Sequence, residues 1–157
     1  MNRLTPPPSA GAGDRRAAGH RCARRDRIAA AAASLHEAAH AAVARGEPLV
    51  LLASLPGCPY CERIRRSHLL LLLRESGGGV YQIDVGSSAS VIYFDGKTRT
   101  PDAVADSLHA RFTPTVLFLG KDGEELSERL VGAGIPDFYG ALLEQRRDAA
   151  RTALRSR

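Results

Sequence analysis

The sequence predicts an α/β domain, a mixed central sheet of about four strands flanked by helices on both faces. Three observations predict it. A short apolar run at 48–53, a helical segment at 59–74 and an alternating run at 80–85 form a strand–helix–strand unit, which sets two strands parallel through a crossover. Further on, 115–119 and 125–131 read as strands joined by the turn Gly120-Lys121-Asp122-Gly123, so a hairpin adds two antiparallel strands. Helical segments before, between and after the strands supply cover for both faces. At 157 residues and 44% apolar, the chain can build one ordinary core, and no run reaches the roughly 18 apolar residues of a membrane span.

Residues 1–27, with Pro6-Pro7-Pro8, scattered glycines and seven arginines, lack any hydrophobic period and read as a disordered basic leader. The run Ile28 to Ala33 is too short and too weakly apolar for the core of an export signal, because Ser34, His36 and Glu37 end it. The domain is expected over 28–154. Its alanine-rich opening, 28–45, reads as a helix stopped by Gly46. Pro48-Leu49-Val50-Leu51-Leu52-Ala53 fits a buried strand, which Pro56-Gly57 breaks. The helix at 59–74 ends at Gly77-Gly78-Gly79, and a strand follows at 80–85. A polar loop with Asp95-Gly96 leads to a short helix at 101–110. In the returning strand of the hairpin, Leu126, Leu130 and Val131 are expected to face inward. A last amphipathic helix begins near Pro136-Asp137 and runs into a basic tail.

The net charge of +5 is carried entirely by the leader, where seven arginines stand against Asp14 and Asp26. A neutral body with basic ends, and no aromatic residues among the arginines, argues against a nucleic-acid surface. Of the three cysteines, Cys22 lies in the leader with no role assigned to it. Cys58 and Cys61 stand three apart, where a strand gives way to a helix. A helix start stabilises an anion, so Cys58 is expected to have a lowered pKa and to attack. Cys61, one turn inside, is within bridging distance and is expected to resolve the mixed disulfide. Pro59 suits an early helix position, where its missing N–H costs nothing.

In Gly57-Cys58-Pro59-Tyr60-Cys61, in Phe112-Thr113-Pro114-Thr115 ahead of a strand, and in the run from Asp122-Gly123 to Val131-Gly132, the chain resembles the thioredoxin superfamily. Within it, the likeness is to exported bacterial thioredoxin-like proteins, including those that accompany sulfur oxidation, and it covers about two-thirds of the chain. The resemblance implies a thioredoxin fold and thiol–disulfide exchange with protein substrates. Cys58 and Cys61 would be the redox pair, and Gly57, Pro59, Tyr60, Thr113 and Pro114 would line the substrate. It further implies a cis bond before Pro114, with the backbone of Thr113 offered to an extended substrate. No cofactor is expected beyond the Cys58–Cys61 disulfide. The expected partners are protein thiols and disulfides and a redox recycling partner, with the protein a monomer in the periplasm, neither bound to nucleic acid nor inserted in a membrane. Leu52 stands where thioredoxin proper keeps a buried aspartate, and Gly57 where it keeps a tryptophan. Cys-Pro-Tyr-Cys is also the glutaredoxin motif, yet Thr113-Pro114 lacks the valine of that family's Thr-Val-Pro, and Val131-Gly132-Ala133-Gly134 lacks its paired glycines. A glutathione-dependent enzyme and a non-catalytic interaction module are the alternatives.

His36-Glu37-Ala38-Ala39-His40 matches the H-E-x-x-H of zinc proteases, but Val43 occupies the glycine position of the longer metzincin pattern, and the pair reads as surface histidines. A zinc site on Cys58 and Cys61 would need two more ligands, for which His20 and Cys22 in the leader are the candidates, so no metal is expected. His68, on the inner side of the helix, and His109 read as partly buried packing histidines. Arg63, Arg65 and Arg66 read as a solvated helix face that Glu62 partly cancels.

Overall fold

The computed structural model describes residues 29–30, 34–76 and 79–157; the expected leader lies outside the described residues. The elements in chain order are β1 (Ala29–Ala30), α1 (Leu35–Ala44), β2 (Leu49–Ser54), α2 (Pro59–Ile64), a π-helical turn (Arg65–Leu69), α3 (Leu70–Ser76), β3 (Val80–Asp84), β4 (Val91–Ile92), β5 (Thr98–Arg99), α4 (Pro101–Ser107), β6 (Thr115–Leu119), β7 (Glu125–Val131) and α5 (Pro136–Arg155).

The central sheet runs β1-β3-β2-β6-β7. Strands β2 and β3 are parallel, with Leu51 opposite Tyr81, while β6 is antiparallel to both β2 and β7. This is the mixed four-stranded sheet expected, with a two-residue strand added on the β3 edge. Alternation along the strands builds two core layers. Leu49, Leu51, Ala53, Ile83, Leu117 and Leu119 point to one face, where α1 and α4 cover them. Val50, Leu52, Val116, Phe118, Leu126 and Leu130 point to the other, under α2, α3 and α5. Because both faces are covered, all six residues of β2 are buried.

Several expectations need correction. The first helix does not fill 28–45. Ser34 caps it by accepting from the Glu37 N–H at 3.0 Å, so the helix begins at Leu35, and Ala29–Ala30 instead pair their backbone parallel to Tyr81 and Gln82. The supposed polar loop folds back on itself as the β4–β5 ribbon around Asp95-Gly96, held by Arg99 over the Tyr93 ring at 3.9 Å. Helix α4 stops at Ser107, three residues short of the expected end. Val131 is exposed, since only Leu126 and Leu130 of β7 turn inward.

The helix after the cysteines runs on to Ser76, but the π-turn interrupts it. Its i→i+5 step carries the inner line from Ile64 to Leu69 instead of His68. His68 is consequently only half-buried, its ring against Tyr139 with centroids 5.0 Å apart, and burial lowers its pKa. His109 is exposed, with a φ of 51°, and is not the partly buried histidine expected.

At the opposite end of β2, Glu47 accepts from Arg147 at 3.2 Å and from Arg151 at 2.6 Å, tying α5 to the start of the central strand. Arg147 is itself buried.

Candidate functional site

Strand β2 leaves the core at Ser54, and the chain turns through Leu55-Pro56-Gly57. Gly57 has a φ of +77° and open space where a Cβ would stand, so the sign of φ, not crowding, favours glycine there. Cys58 then takes the N-cap position of α2, with extended backbone, and its sulfur accepts from the Cys61 N–H at 3.2 Å. Pro59 opens the helix, and the Glu62 N–H donates to the Cys58 carbonyl at 3.1 Å. Cys58 and Cys61 are joined as a disulfide with Cα atoms 5.3 Å apart, inside the usual bridging range. Cys58 is half-buried, whereas Cys61 is 2% exposed. Only the first sulfur's residue is open to a reaction partner.

Strand β6 runs antiparallel to β2 with Thr115 opposite Ala53, so Thr113 and Pro114 stand at the same sheet end as Cys58. The Thr113–Pro114 bond is cis. Two hydrogen bonds fix this loop: Thr115 Oγ1 donates to the Phe112 carbonyl at 2.7 Å, and the Gly132 N–H donates to the Pro114 carbonyl at 2.7 Å. Pro114 is buried and Thr113 half-buried, while Phe112 is 80% exposed beside them. Tyr60 is also exposed, with the Arg63 guanidinium 5.8 Å from its ring centre. Thus Gly57, Cys58, Pro59, Tyr60, Thr113 and Pro114 all gather at one end of the sheet.

Beneath α2, Leu52 is fully buried in the layer that holds Ile64, an apolar floor with no carboxylate at that position. On the β3 side of Cys58, an open cleft of about 530 Å³ is walled by Ser54, Cys58, Glu62, Arg65, Arg66 and Asp84. Glu62 pairs with both Arg65 and Arg66, and these contacts hold its carboxyl below the usual range, with Arg65 contributing most. The sequence reading missed this cleft, although Asp84 ends the strand that neighbours Ser54 and is its register partner.

The histidines of the H-E-x-x-H segment lie side by side, with ring centres 4.5 Å apart and tilted by 52°, and Nδ1 of His36 lies 2.8 Å from the Phe94 carbonyl. Among the described residues no three His, Cys, Asp or Glu side chains gather closely enough to hold a metal ion. No helix among them is long and apolar enough to cross a membrane.

The sequence matches the family described as a thioredoxin-like domain over residues 35–147. The structure is similar to mitochondrial thioredoxin 3 from Saccharomyces cerevisiae, at 23% identity over 77% of this chain and 94% of that one, with a TM-score of 0.49. A thioredoxin-fold protein from Helicobacter pylori aligns at 18% identity over 68% of this chain and 73% of its own, with a TM-score of 0.50. Thioredoxin f from spinach chloroplast, in its short form, aligns at 20% identity over 70% of this chain and 83% of its own, with a TM-score of 0.48. Comparison with curated proteins gave no match. At these identities the likeness is one of fold.

Proposed function

The chain belongs to the thioredoxin-like family, and on that premise we propose that it is a thiol–disulfide oxidoreductase that exchanges disulfides with protein substrates through Cys58 and Cys61. One observation carries the reading. A half-buried sulfur residue caps a helix, bridged to a buried partner one turn inside it.

In the reduced state, the Cys58 thiolate attacks a substrate disulfide. This forms a Cys58–substrate disulfide and expels the first substrate thiolate. Cys61 then attacks the Cys58 sulfur, releases the second substrate thiolate and restores the Cys58–Cys61 bond. Two electrons pass from the pair to the substrate. The helix start and the Cys61 N–H lower the cost of the Cys58 thiolate, the second as a direct hydrogen bond to its sulfur. Gly57, Pro59 and Tyr60 frame the attacking sulfur. Thr113 and Pro114, held by the Gly132 and Thr115 hydrogen bonds, form the edge along which an extended substrate would lie.

This chemistry calls on no cofactor or metal beyond the disulfide itself. The reading includes a monomer acting with a separate redox recycling partner. It places the protein in the periplasm on the strength of the resemblance to exported relatives.

Reduction of insulin by dithiothreitol, with and without the protein, tests the proposal. Catalysis by the unaltered chain, abolished by Cys58→Ser, is the expected result. If the protein does not accelerate the reaction, the oxidoreductase reading fails and the non-catalytic alternative takes its place.

A further inference from the structure

The Cys58 site has two flanks. Thr113 and Pro114 bound it on the β6 side, and the cleft lined by Arg65, Arg66 and Asp84 lies on the β3 side. We propose that this cleft binds a low-molecular-weight thiol carrying both a carboxylate and an ammonium group, and that this thiol is the reductant of the Cys58–Cys61 disulfide. The proposal deepens the oxidoreductase reading and rests on it, since it takes Cys58 as the exchanging sulfur.

The charge layout of the cleft points to such a ligand. On the helix wall, both Glu62 oxygens are engaged, Oε2 by Arg65 and Oε1 by Arg66. Two guanidiniums share one carboxylate, so that wall carries a surplus positive charge, and N–H donors remain for an anion. Across the cleft, Asp84 accepts from the Gln82 amide through Oδ1 at 2.6 Å, which leaves its other oxygen for a cation. A singly charged ligand would meet attraction from one wall and repulsion from the other. An amino-acid-like thiol satisfies both. The cleft's volume of about 530 Å³ falls in the range of roughly 300–1,000 Å³ typical of small-ligand sites. Because Cys58 is part of the wall, a thiol seated there stands beside the sulfur it would attack.

The ligand thiolate attacks the Cys58 sulfur, forming a Cys58–ligand disulfide and releasing Cys61 as a thiolate that takes a proton from water. A second ligand thiolate attacks the ligand sulfur of that adduct, forming the ligand's own disulfide and freeing Cys58. Two thiols are oxidised and one protein disulfide is reduced. Attack at Cys58 is favoured over attack at Cys61 because Cys61 is buried.

The test measures reduction of the full chain's disulfide by glutathione, 3-mercaptopropionate, 2-mercaptoethanol and cysteamine, each compared at equal thiolate concentration and corrected for thiol basicity. Glutathione should lead the corrected ranking by about fivefold, the scale of one exposed ion pair. Asp84→Asn should slow glutathione, which loses its ammonium contact, and accelerate 3-mercaptopropionate, which loses a repulsion. Arg65→Ala with Arg66→Ala should slow both, and Arg65→Lys with Arg66→Lys should restore most of the rate. Rates that follow thiol basicity alone would overturn the proposal. So would an Asp84→Asn effect of the same sign on both thiols, or a charge preference seen only with disulfide peptides. Insulin reduction by the unaltered chain with dithiothreitol separates the two levels. Its absence defeats the oxidoreductase reading, whereas its presence without a charge ranking defeats this proposal alone.

Discussion

The backbone N–H of Cys61 donates to the sulfur of Cys58 across 3.2 Å, so the buried cysteine supports the half-buried one through its backbone as well as through its thiol. Replacing the Cys61 side chain leaves that N–H in place. Cys61→Ser should therefore keep Cys58 reactive and accumulate a mixed disulfide with substrate, while Cys58→Ser should abolish both turnover and trapping. Mass spectrometry of the adducts reads the order of the two sulfurs. Trapping by the Cys58 variant alone would reverse the assigned roles.

Leu52 is fully buried in the core layer under the cysteine helix and supplies no proton acceptor for Cys61. Resolution of the mixed disulfide should then follow the solvent-set thiolate fraction of Cys61, rising with pH until that thiol is deprotonated. Stopped-flow decay of a preformed Cys58 adduct, measured from pH 6 to pH 9, checks this. A flat profile would mean that a group other than solvent takes the proton.

Glu47 predicts an acid limit to stability. Burial pushes its carboxyl up, but the hydrogen bond from Arg151 and the charges of Arg147 and Arg151 outweigh burial and hold it below its ordinary value. With the folded pKa depressed, the contribution is complete above the unfolded value near 4.5 and is lost as pH falls through the folded one. Glu47→Gln should cost about 1–3 kcal/mol at pH 7. The gap to the unaltered protein should close below pH 4 in denaturant melts. An unchanged gap at pH 3 would contradict the pairing.

Gly123 has a φ of +83°, and a Cβ there would lie 2.5 Å from Cδ2 of Phe94. Gly123→Ala combines an unfavourable backbone with overpacking against a buried ring and should destabilise by about 2 kcal/mol or more. Thermal melting measures it. A loss below about 0.5 kcal/mol would show that the hairpin turn relaxes freely.

The two neighbouring histidines should be separable. His40 is exposed, and His40→Ala should change stability by less than about 0.5 kcal/mol. His36→Ala loses the contact with the Phe94 carbonyl and should cost about 0.5–1.5 kcal/mol. Neither change should affect insulin reduction. One zinc per chain by elemental analysis would overturn this reading of the segment.

The strands of the hairpin were legible because 115–119 is a compact apolar run and its turn is marked by glycines; both strands stand where the pattern placed them. The cysteine pair was legible for a similar reason, since Pro56-Gly57 and Pro59 mark the end of a strand and the start of a helix. Ala29–Ala30 was misread because alanine favours helix by local propensity, while its pairing with β3 depends on a strand some fifty residues away. Val131 was misread because the strand's alternation favours Leu130, and one position along the strand reverses the face. The cleft beside Cys58 escaped notice because Arg65, Arg66 and Asp84 sit on different elements, and only the register of β2 with β3 brings them together.

The π-turn at Arg65–Leu69 makes the helix after the cysteines a joint between two phases, one set by the redox pair and the other by the core. Counted as a regular helix, it holds one residue too many. Wound as a continuous α-helix at its present length, the segment would turn its distal half by about 100° relative to the cysteines. Leu71, now 54% exposed, would then take the inward place that Leu72 holds. The wide turn absorbs the extra residue, so removing one residue within 65–68 should leave Leu69 and Leu72 facing the sheet, whereas straightening the turn without shortening it would bring the wrong leucine inward.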